Sequence, residues 1–373
     1  MSRAPQAFVA LARRLAGWAP VLLLLFPGLR AAAAELPEQR ADALYHLYEG
    51  GGETVQGPAV LVRKNFAERA SLSAGYTIDA ISGASIDVVT NASPYKEERR
   101  ELDLGADYLY RDTLVSLSYI SSIEHDYWSA NWGLAVSQDM FDNRTTVSLA
   151  YNRGHDEVGE VHTNLHAPAD HDSYSASLTQ VINPTLIGTL GYQAIADDGF
   201  LENPYRSARV EGGFVQQAYP GTRFGQAVSV KLVKSWSPTW STRVEARYYH
   251  DSWQVNAFNV GISASQTLYR GILLDESYRY YRQTAASFYS DDFSQPETYM
   301  SRDKELADFH DHSFGAKLTV PVYHSESGWV NTLNLNFAAN YILIRYNDFT
   351  DVRSGGLYGF NATVAQAFIT VKY

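Results

Sequence analysis

Along most of the chain, apolar and polar residues alternate one by one over stretches of about ten residues, the weak per-segment pattern of a transmembrane β-strand. The alternation is clearest at 332–343, whose apolar face consists of Leu333, Leu335, Phe337, Ala339, Tyr341 and Leu343. It recurs at 101–110, 113–123 and 240–250. After residue 35 no apolar stretch is long enough for a membrane-spanning helix. The pattern predicts an all-β chain.

The connections between these stretches alternate between short and long, as in bacterial outer-membrane barrels. Short turns fall at 111–112, 142–143, 183–184, 237–238 and 323–328. Long polar loops fall at 83–98, 154–172, 197–222, 285–308 and 346–356. Counting back from a periplasmic C-terminus requires a first upward strand at 43–49. We therefore predict a transmembrane antiparallel up-and-down β-barrel of about sixteen strands, with short periplasmic turns and long extracellular loops. Because a closed barrel has no edges, its first strand should pair with its last.

One carboxylate conflicts with simple alternation. Glu276 falls on the apolar face with Leu274 and Tyr278, and a lipid-facing carboxylate is costly away from an interface. A bulge near Asp275, or a different register, would remove the conflict.

The C-terminal strand carries the most specific signal. Ile369, Val371 and the final Tyr373 alternate with polar residues, and this resembles the terminal strand that the outer-membrane barrel-assembly machinery recognises. The alternative is an ordinary amphipathic strand that ends in tyrosine.

Residues 1–34 have the features of a cleaved secretory signal peptide. Three arginines precede an apolar segment, and four alanines at 31–34 provide a small-residue cleavage site. An uncleaved anchor is the alternative, but Pro20, Pro27 and Arg30 interrupt the apolar run. The expected mature chain is a single barrel domain, 35–373, exported to the bacterial outer membrane.

Composition excludes several classes of function. The chain has no cysteine, which rules out disulfides, thiolate metal sites and a cysteine nucleophile. Its net charge is −11, which argues against binding nucleic acid. Tyrosine is the commonest aromatic residue, with 26 copies against 16 phenylalanines, which suits a surface that is part apolar and part wet.

Six stretches resemble an uncharacterised family of exported Gram-negative proteins, described only as a domain of unknown function. They are 45–52 (YHLYEGGG), 57–64 (GPAVLVRK), 84–90 (ASIDVVT), 92–99 (ASPYKEER), 199–206 (GFLENPYR) and 301–306 (SRDKEL). The resemblance extends over nearly the whole mature chain and implies an outer-membrane barrel without an established activity. Members are often encoded near a small lipoprotein, a thioredoxin-like protein and a periplasmic flavin transferase, so the resemblance also implies a redox context.

If the apolar faces contact lipid, the opposite faces line the lumen. The expected lumen charges are Asp79, Glu101, Asp103, Asp107, Lys231, Arg243, Glu245, Arg247, Asp275, Arg279 and Lys317. Acids on early strands and bases on later ones would set up a transverse field across a pore. Alternatively, these charges pair across a narrow or plugged lumen and only hold the barrel in shape.

The long loops supply a second set of candidate residues at the mouth of the barrel. These are Asp197, Asp198, Arg206, Asp291, Asp292, Arg302 and Asp303. They could lock the loops together, form a cation or substrate site, or contact lipopolysaccharide. Loop 154–172 also contains histidines, including His162, His166 and His171, which we interpret as solvated loop residues rather than metal ligands.

No catalytic motif and no cofactor site is expected, since the sequence contains no nucleophile elbow, metalloprotease motif or P-loop. A channel for small polar solutes or ions is the favoured interpretation. A barrel that docks or sheathes a lipoprotein or periplasmic redox partner is the alternative, and a barrel hydrolase is a third. Expected partners are outer-membrane lipid, lipopolysaccharide and the assembly machinery, with no nucleic acid.

Overall fold

The computed structural model describes residues 35–83, 95–161, 163–326 and 328–373. Within these ranges sixteen antiparallel strands form one closed barrel, and two short strands form a separate hairpin. The barrel strands are β1 (Arg40–Gly50), β2 (Glu53–Phe66), β3 (Ala70–Gly83), β4 (Tyr95–Tyr110), β5 (Thr113–Ile123), β6 (Tyr127–Met140), β7 (Thr145–Gly159), β8 (His166–Asn183), β9 (Leu186–Gly199), β12 (Thr222–Ser237), β13 (Trp240–Asp251), β14 (Asn256–Thr267), β15 (Leu273–Gln283), β16 (Phe309–His324), β17 (Thr332–Thr350) and β18 (Leu357–Lys372). The hairpin consists of β10 (Ser207–Val210) and β11 (Gly213–Gln216), and short 3₁₀ turns lie at Tyr269–Gly271 and Lys304–Leu306. Within the described residues, no helix is long and apolar enough to cross a bilayer.

Closure of the barrel confirms the expected pairing of the first strand with the last. β1 pairs with β18 in unbroken register, from Arg40 opposite Lys372 to Gly50 opposite Ala362. Because every barrel strand then has two neighbours, the sheet has no unpaired edge.

Period-two alternation gives the wall its two faces. In β17, Phe337 and Tyr341 are exposed on the outside, whereas Asn336 and Ala338 are buried on the inside. Outward leucines, valines and tyrosines cover the exterior of the other strands in the same way. An apolar exterior around a polar interior is the arrangement that a bilayer requires of a transmembrane barrel.

The two ends of the barrel differ, and we call them the turn rim and the loop rim. At the turn rim, short connections include 67–69, 111–112, 141–144, 184–185 and 238–239. At the loop rim, the long segments 200–221 and 284–308 fold over the opening. This difference confirms the predicted division between short turns and long loops.

Four of the predicted loops need corrected boundaries, including 197–222, whose residues 197–199 belong to β9 and whose residue 222 begins β12. Loop 154–172 is mostly strand, since β7 continues to Gly159 and β8 begins at His166. Residues 346–350 of the predicted loop 346–356 belong to β17. These polar strand ends lie beyond the apolar part of the wall, so their composition resembles that of a loop. In the predicted loop 83–98, residues 84–94 lie outside the described residues, and 95–98 belong to β4.

The structure has neither the bulge near Asp275 nor the different register that would have removed the conflict at Glu276. The β14–β15 and β15–β16 ladders are unshifted, and Glu276 lies on the outer face opposite Ala264 and Ala316. Glu276 is the fourth residue of β15 from the turn rim, close to the end of the wall, where a carboxylate costs least.

Candidate functional site

A cavity of about 930 Å³ occupies the loop-rim half of the barrel interior. Inward side chains of the wall and residues of the two long loop-rim segments line it. Sixteen strands give a barrel wide enough for such an interior, because the diameter grows with strand number.

The strand registers place all eleven predicted lumen charges on the inward face. Asp79, Glu101, Asp103 and Asp107 lie on β3 and β4; Lys231, Arg243, Glu245 and Arg247 lie on β12 and β13; Asp275, Arg279 and Lys317 lie on β15 and β16. Three of them, Glu101, Arg247 and Arg279, line the cavity. The others lie elsewhere on the inner wall.

Two of the inward acids contact basic side chains from nearby strands of the wall. Asp79 is fully buried, with Oδ1 2.6 Å from His46 Nε2 and Oδ2 2.7 Å from Arg99 Nε. Asp107 pairs with Arg63 and accepts a hydrogen bond of 2.6 Å from Ser116 Oγ. Arg99 joins the adjacent strands β3 and β4, whereas His46 and Arg63 each reach across one intervening strand. Sequence analysis missed these three basic partners.

Three arginines project from β12, β13 and β15 into the cavity. Arg223 pairs with the buried Asp251, with 2.7 Å between Nε and Oδ2, and Arg279 pairs with the buried Asp311 at 3.0 Å. Arg223, Asp251 and Asp311 were missed. Each of these three residues falls on the inward face by the same period-two alternation, and this signal could have identified them.

Arg247 differs from these two arginines because its hydrogen bond goes to a neutral acceptor. Its guanidinium donates to Gln193 Oε1 at 3.1 Å and lies 5.7 Å from the Tyr249 ring. Within the described part of the chain, no carboxylate forms an ion pair with it. Arg247 therefore contributes an uncompensated positive charge to the cavity wall.

The part of the cavity wall formed by β7, β8 and β9 carries a partly buried ionic cluster. His171 Nδ1 lies 2.8 Å from Asp197 Oδ1, and His171 Nε2 lies 3.0 Å from Asp156 Oδ2. Because each ring nitrogen faces a carboxylate, both donate and the imidazole is protonated. The cluster then carries one net negative charge, opposite in sign to Arg247.

These positions correct two expectations. His171 is a strand residue in the wall and not a solvated loop residue, while His162 lies outside the described residues. Asp197 and Asp198 belong to β9 and not to a mouth loop; Asp197 faces inward and Asp198 outward. The loop itself begins only after Gly199.

Contacts between the loops account for the other mouth candidates. Arg302 binds Asp291 Oδ1 through Nε at 2.9 Å and lies 4.3 Å from the Phe349 ring. Asp303 accepts hydrogen bonds from Glu305 N and Tyr219 Oη, and Asp292 accepts one from Gly212 N. Most of these are charge-assisted contacts of the kind that lock loops together.

The loops are also held by buried side chains of both kinds. Tyr219, Trp253, Phe288 and Leu306 form an apolar cluster across three loop-rim connections. Arg206 and Lys304 are buried, and burial lowers the pKa of Lys304, with the nearby Arg206 adding to the effect. Residues 200–221 and 284–308 are therefore packed into one covering layer.

Ile369 and Val371 lie in the turn-rim half of β18, and Tyr373 directly follows this strand. Ile369 is exposed on the outer face, and Tyr373 Oη donates to the Arg63 carbonyl oxygen at 2.9 Å. The Tyr373 ring stacks on Trp329, with 5.5 Å between centroids.

Several known structures align with this chain at low sequence identity. A bacterial polysaccharide outer membrane secretin aligns with a TM-score of 0.50 and 10% identity, over 90% of this chain and 99% of its own. The outer membrane protein opdK from Pseudomonas aeruginosa aligns with a TM-score of 0.43 and 8% identity, over 90% of this chain and 99% of its own. The siderophore receptor PirA from Pseudomonas aeruginosa aligns with a TM-score of 0.43 and 12% identity, over 84% of this chain and 60% of the receptor. No curated protein matches by sequence.

The closed antiparallel wall with an apolar exterior defines the chain as an outer-membrane-type β-barrel. Residues 162–341 match the family model described as a protein of unknown function (DUF3570). The resemblance to an uncharacterised barrel family is thus confirmed. The resemblance was expected to extend over nearly the whole mature chain, which was too large, because the family model matches only residues 162–341. Four of the six stretches that suggested the resemblance precede residue 162.

Proposed function

We propose that this protein is a channel of the bacterial outer membrane that passes small polar solutes or ions. The observation that carries the proposal is the 930 Å³ cavity whose wall holds opposite charges on different strands. Arg247 supplies positive charge from β13, and the His171 cluster supplies negative charge from β7 to β9. Fixed charges of opposite sign across a low-dielectric pore orient dipolar solutes and select ions.

The covering layer at the loop rim favours a selective channel rather than a wide, open pore. The apolar cluster joins both long loops over the opening, and Arg302 ties segment 284–308 to the Thr350 carbonyl oxygen of β17. A solute would have to pass this layer before it reached the charged cavity. We therefore expect a small conductance with a clear ion preference.

Single-channel recording of the folded, signal-free protein in a planar bilayer tests the proposal. Stepwise, steady currents with a reproducible reversal potential in a salt gradient would support it. Barrels that are folded by heat-modifiable gel mobility but carry no current would contradict it. That result would favour the second candidate, a barrel that sheathes a partner, which mild-detergent co-purification would then address.

Neutralising Arg247 provides the sharper test of the charged cavity. Arg247→Gln should lower the anion-to-cation permeability ratio by about two- to fivefold, corresponding to roughly 0.4–1 kcal/mol for one charge in a wet pore. Arg153→Gln is the matched control, because Arg153 is an outward-facing arginine that pairs with Asp172. A ratio that Arg247→Gln leaves equal to that of the control would show that Arg247 plays no part in selection.

A further inference from the structure

The outer surface of the barrel carries a local concentration of basic side chains, which we call the outer basic patch. It consists of Arg282 on β15, His310 and His312 on β16, and Arg345 on β17. Arg282, His310 and Arg345 stand side by side in one register row, which continues outward-facing Phe258 of β14. The row lies one residue from the loop-rim ends of β15 and β16.

Arg345 is held in place without being neutralised. Its guanidinium donates to the carbonyl oxygens of Ile344 and Phe360 at 2.7 and 3.0 Å, and to Asn361 Oδ1 at 3.0 Å. All three acceptors are uncharged. Among the described residues, no carboxylate forms an ion pair with Arg345, so its positive charge is oriented and available to an anion.

One carboxylate faces the rest of the patch. Asp308 Oδ2 lies 3.7 Å from Arg282, and Asp308 Oδ1 accepts a hydrogen bond of 2.6 Å from Asn347. His312 Nδ1 lies 2.9 Å from Tyr278 Oη, which leaves Nε2 available. Among the described residues, two arginines therefore face a single acid, so the patch carries excess positive charge even without a contribution from its histidines.

The equivalent outer surface on β7 and β8 is neutralised. Arg153 lies 3.2 Å from Asp172 and 3.7 Å from Asp170, and His155 lies 2.8 Å from Asp170. The excess positive charge of the outer basic patch is therefore a local feature and not a general property of the loop rim.

Aromatic side chains lie directly on the turn-rim side of the patch. The Tyr280 ring is 5.1 Å from His312, and Tyr278 packs against Phe314 with 5.2 Å between ring centroids. Aromatic girdles mark the headgroup level of transmembrane barrels, and an arginine facing lipid is tolerated there but not at the midplane. The patch is thus at the height where lipid headgroups meet the wall.

We propose that the outer basic patch binds the phosphorylated headgroup of an outer-leaflet glycolipid. Guanidinium groups bind phosphate oxygens in pairs of parallel hydrogen bonds, and Arg345 is already oriented by neutral acceptors. The aromatic side chains on the turn-rim side of the patch lie where the acyl chains of such a lipid would begin. This site requires only that the loop rim face outward in the outer membrane, and it does not depend on whether the barrel conducts.

Native mass spectrometry of the protein purified from outer membranes in mild detergent tests the site. Bisphosphorylated lipid A and the same lipid after enzymatic removal of both phosphates serve as probes. The wild type should bind the bisphosphorylated form at least about tenfold more tightly. The Arg282→Gln/Arg345→Gln double variant should lose this preference, and each single variant should lose part of it.

Arg153→Gln is the matched control, since it also removes one outward arginine at the loop rim, and it should retain the wild-type preference. Heat-modifiable mobility checks that every variant is folded. Equal binding of the two lipids by the wild type, or an unchanged preference in the double variant, would overturn the proposal. So would displacement of the lipid by inorganic phosphate at an equal concentration, because the site would then recognise free phosphate and not a lipid.

Discussion

At the scale of single residues, the arginines of this barrel differ in what neutralises them. Arg302 is buried, with 4% of its side chain exposed, and makes a two-point contact with Asp291 in its own loop. It also donates to the Thr350 carbonyl oxygen at the end of β17. This one side chain therefore joins the covering loop to the wall.

Replacing Arg302 should release segment 284–308. Arg302→Ala removes both the ion pair and the contact with Phe349, and breaking a buried pair costs about 3–5 kcal/mol because the other charge is left unpaired. We expect faster proteolysis within 284–308 in the folded barrel, measured as the rate of appearance of the cleaved fragments.

Arg353→Ala is the control for this prediction. Arg353 pairs with Asp351 in the neighbouring loop, but half of its side chain is exposed, so its loss should cost about 0–1 kcal/mol. Equal proteolysis rates for the two variants would mean that Arg302 does not hold the loop.

Sequence alternation identified which charges face inward, but not which of them are neutralised. Asp79 and Arg247 occupy similar inward positions, yet only Asp79 has ionic partners. Those partners come from β1 and β4, and their distance depends on register and rotamer. Neither quantity can be read from a period of two.

At the scale of strands, close approach of β2 to β3 imposes a sequence requirement. The regular ladder is interrupted at Gly57 and Pro58, between the pairs Gln56–Ala80 and Ala59–Thr77. A Cβ atom on Gly57 would lie 1.7 Å from the Ile78 carbonyl oxygen. A backbone atom cannot move aside as a side chain can, so only glycine fits at this point.

Gly57→Ala should therefore weaken the β2–β3 contact. Forcing the strands apart should cost about 1–3 kcal/mol, as other overpacked positions do. The measurement is the temperature at which the folded band converts to the unfolded band on a gel.

Gly188→Ala is the matched strand control. The atoms nearest to a Cβ there are the terminal methyl carbons of Ile182 and Leu232, at 3.2 and 3.4 Å, and these can rotate away. A midpoint lowered equally by both substitutions would contradict the explanation for Gly57.

At this scale, alternation predicted the strands well and their ends poorly. The ends of β7 and β8 near Gly159 and His166 have the polar composition of a loop, because both faces of the sheet contact water there. Hydrogen bonding between backbones continues past the point where lipid contact ends. Composition alone therefore places such boundaries too early.

At the scale of the whole molecule, the parity of short and long connections predicted both strand number and closure. Loop packing could not be predicted in this way. The covering layer depends on contacts such as Tyr219 with Phe288, which lie far apart in sequence and follow no period. The cavity beneath it was for the same reason invisible to sequence analysis.

Assembly of the whole barrel gives a prediction for the terminal residue. If Tyr373 is read by the assembly machinery, Tyr373→Ala should lower the amount of folded barrel in outer membranes severalfold, measured by heat-modifiable mobility of membrane fractions. Its stacking partner provides the control, because Trp329→Ala removes the same ring contact and leaves the terminal residue intact. Equal losses would show that the stacking, and not the terminal residue, matters for assembly.

The seam between β1 and β18 has one more consequence. Lys372 Nζ lies 2.8 Å from Glu38 Oε2, so both ends of the described chain meet at the turn rim. The wall is topologically a ring, so its hydrogen bonding does not depend on where along the ring the two chain ends lie. A short linker across this seam, combined with new termini opened between Glu211 and Gly212 at the tip of the β10–β11 hairpin, would yield a circular permutant. Such a permutant would keep every barrel ladder and present both ends on the opposite side of the membrane.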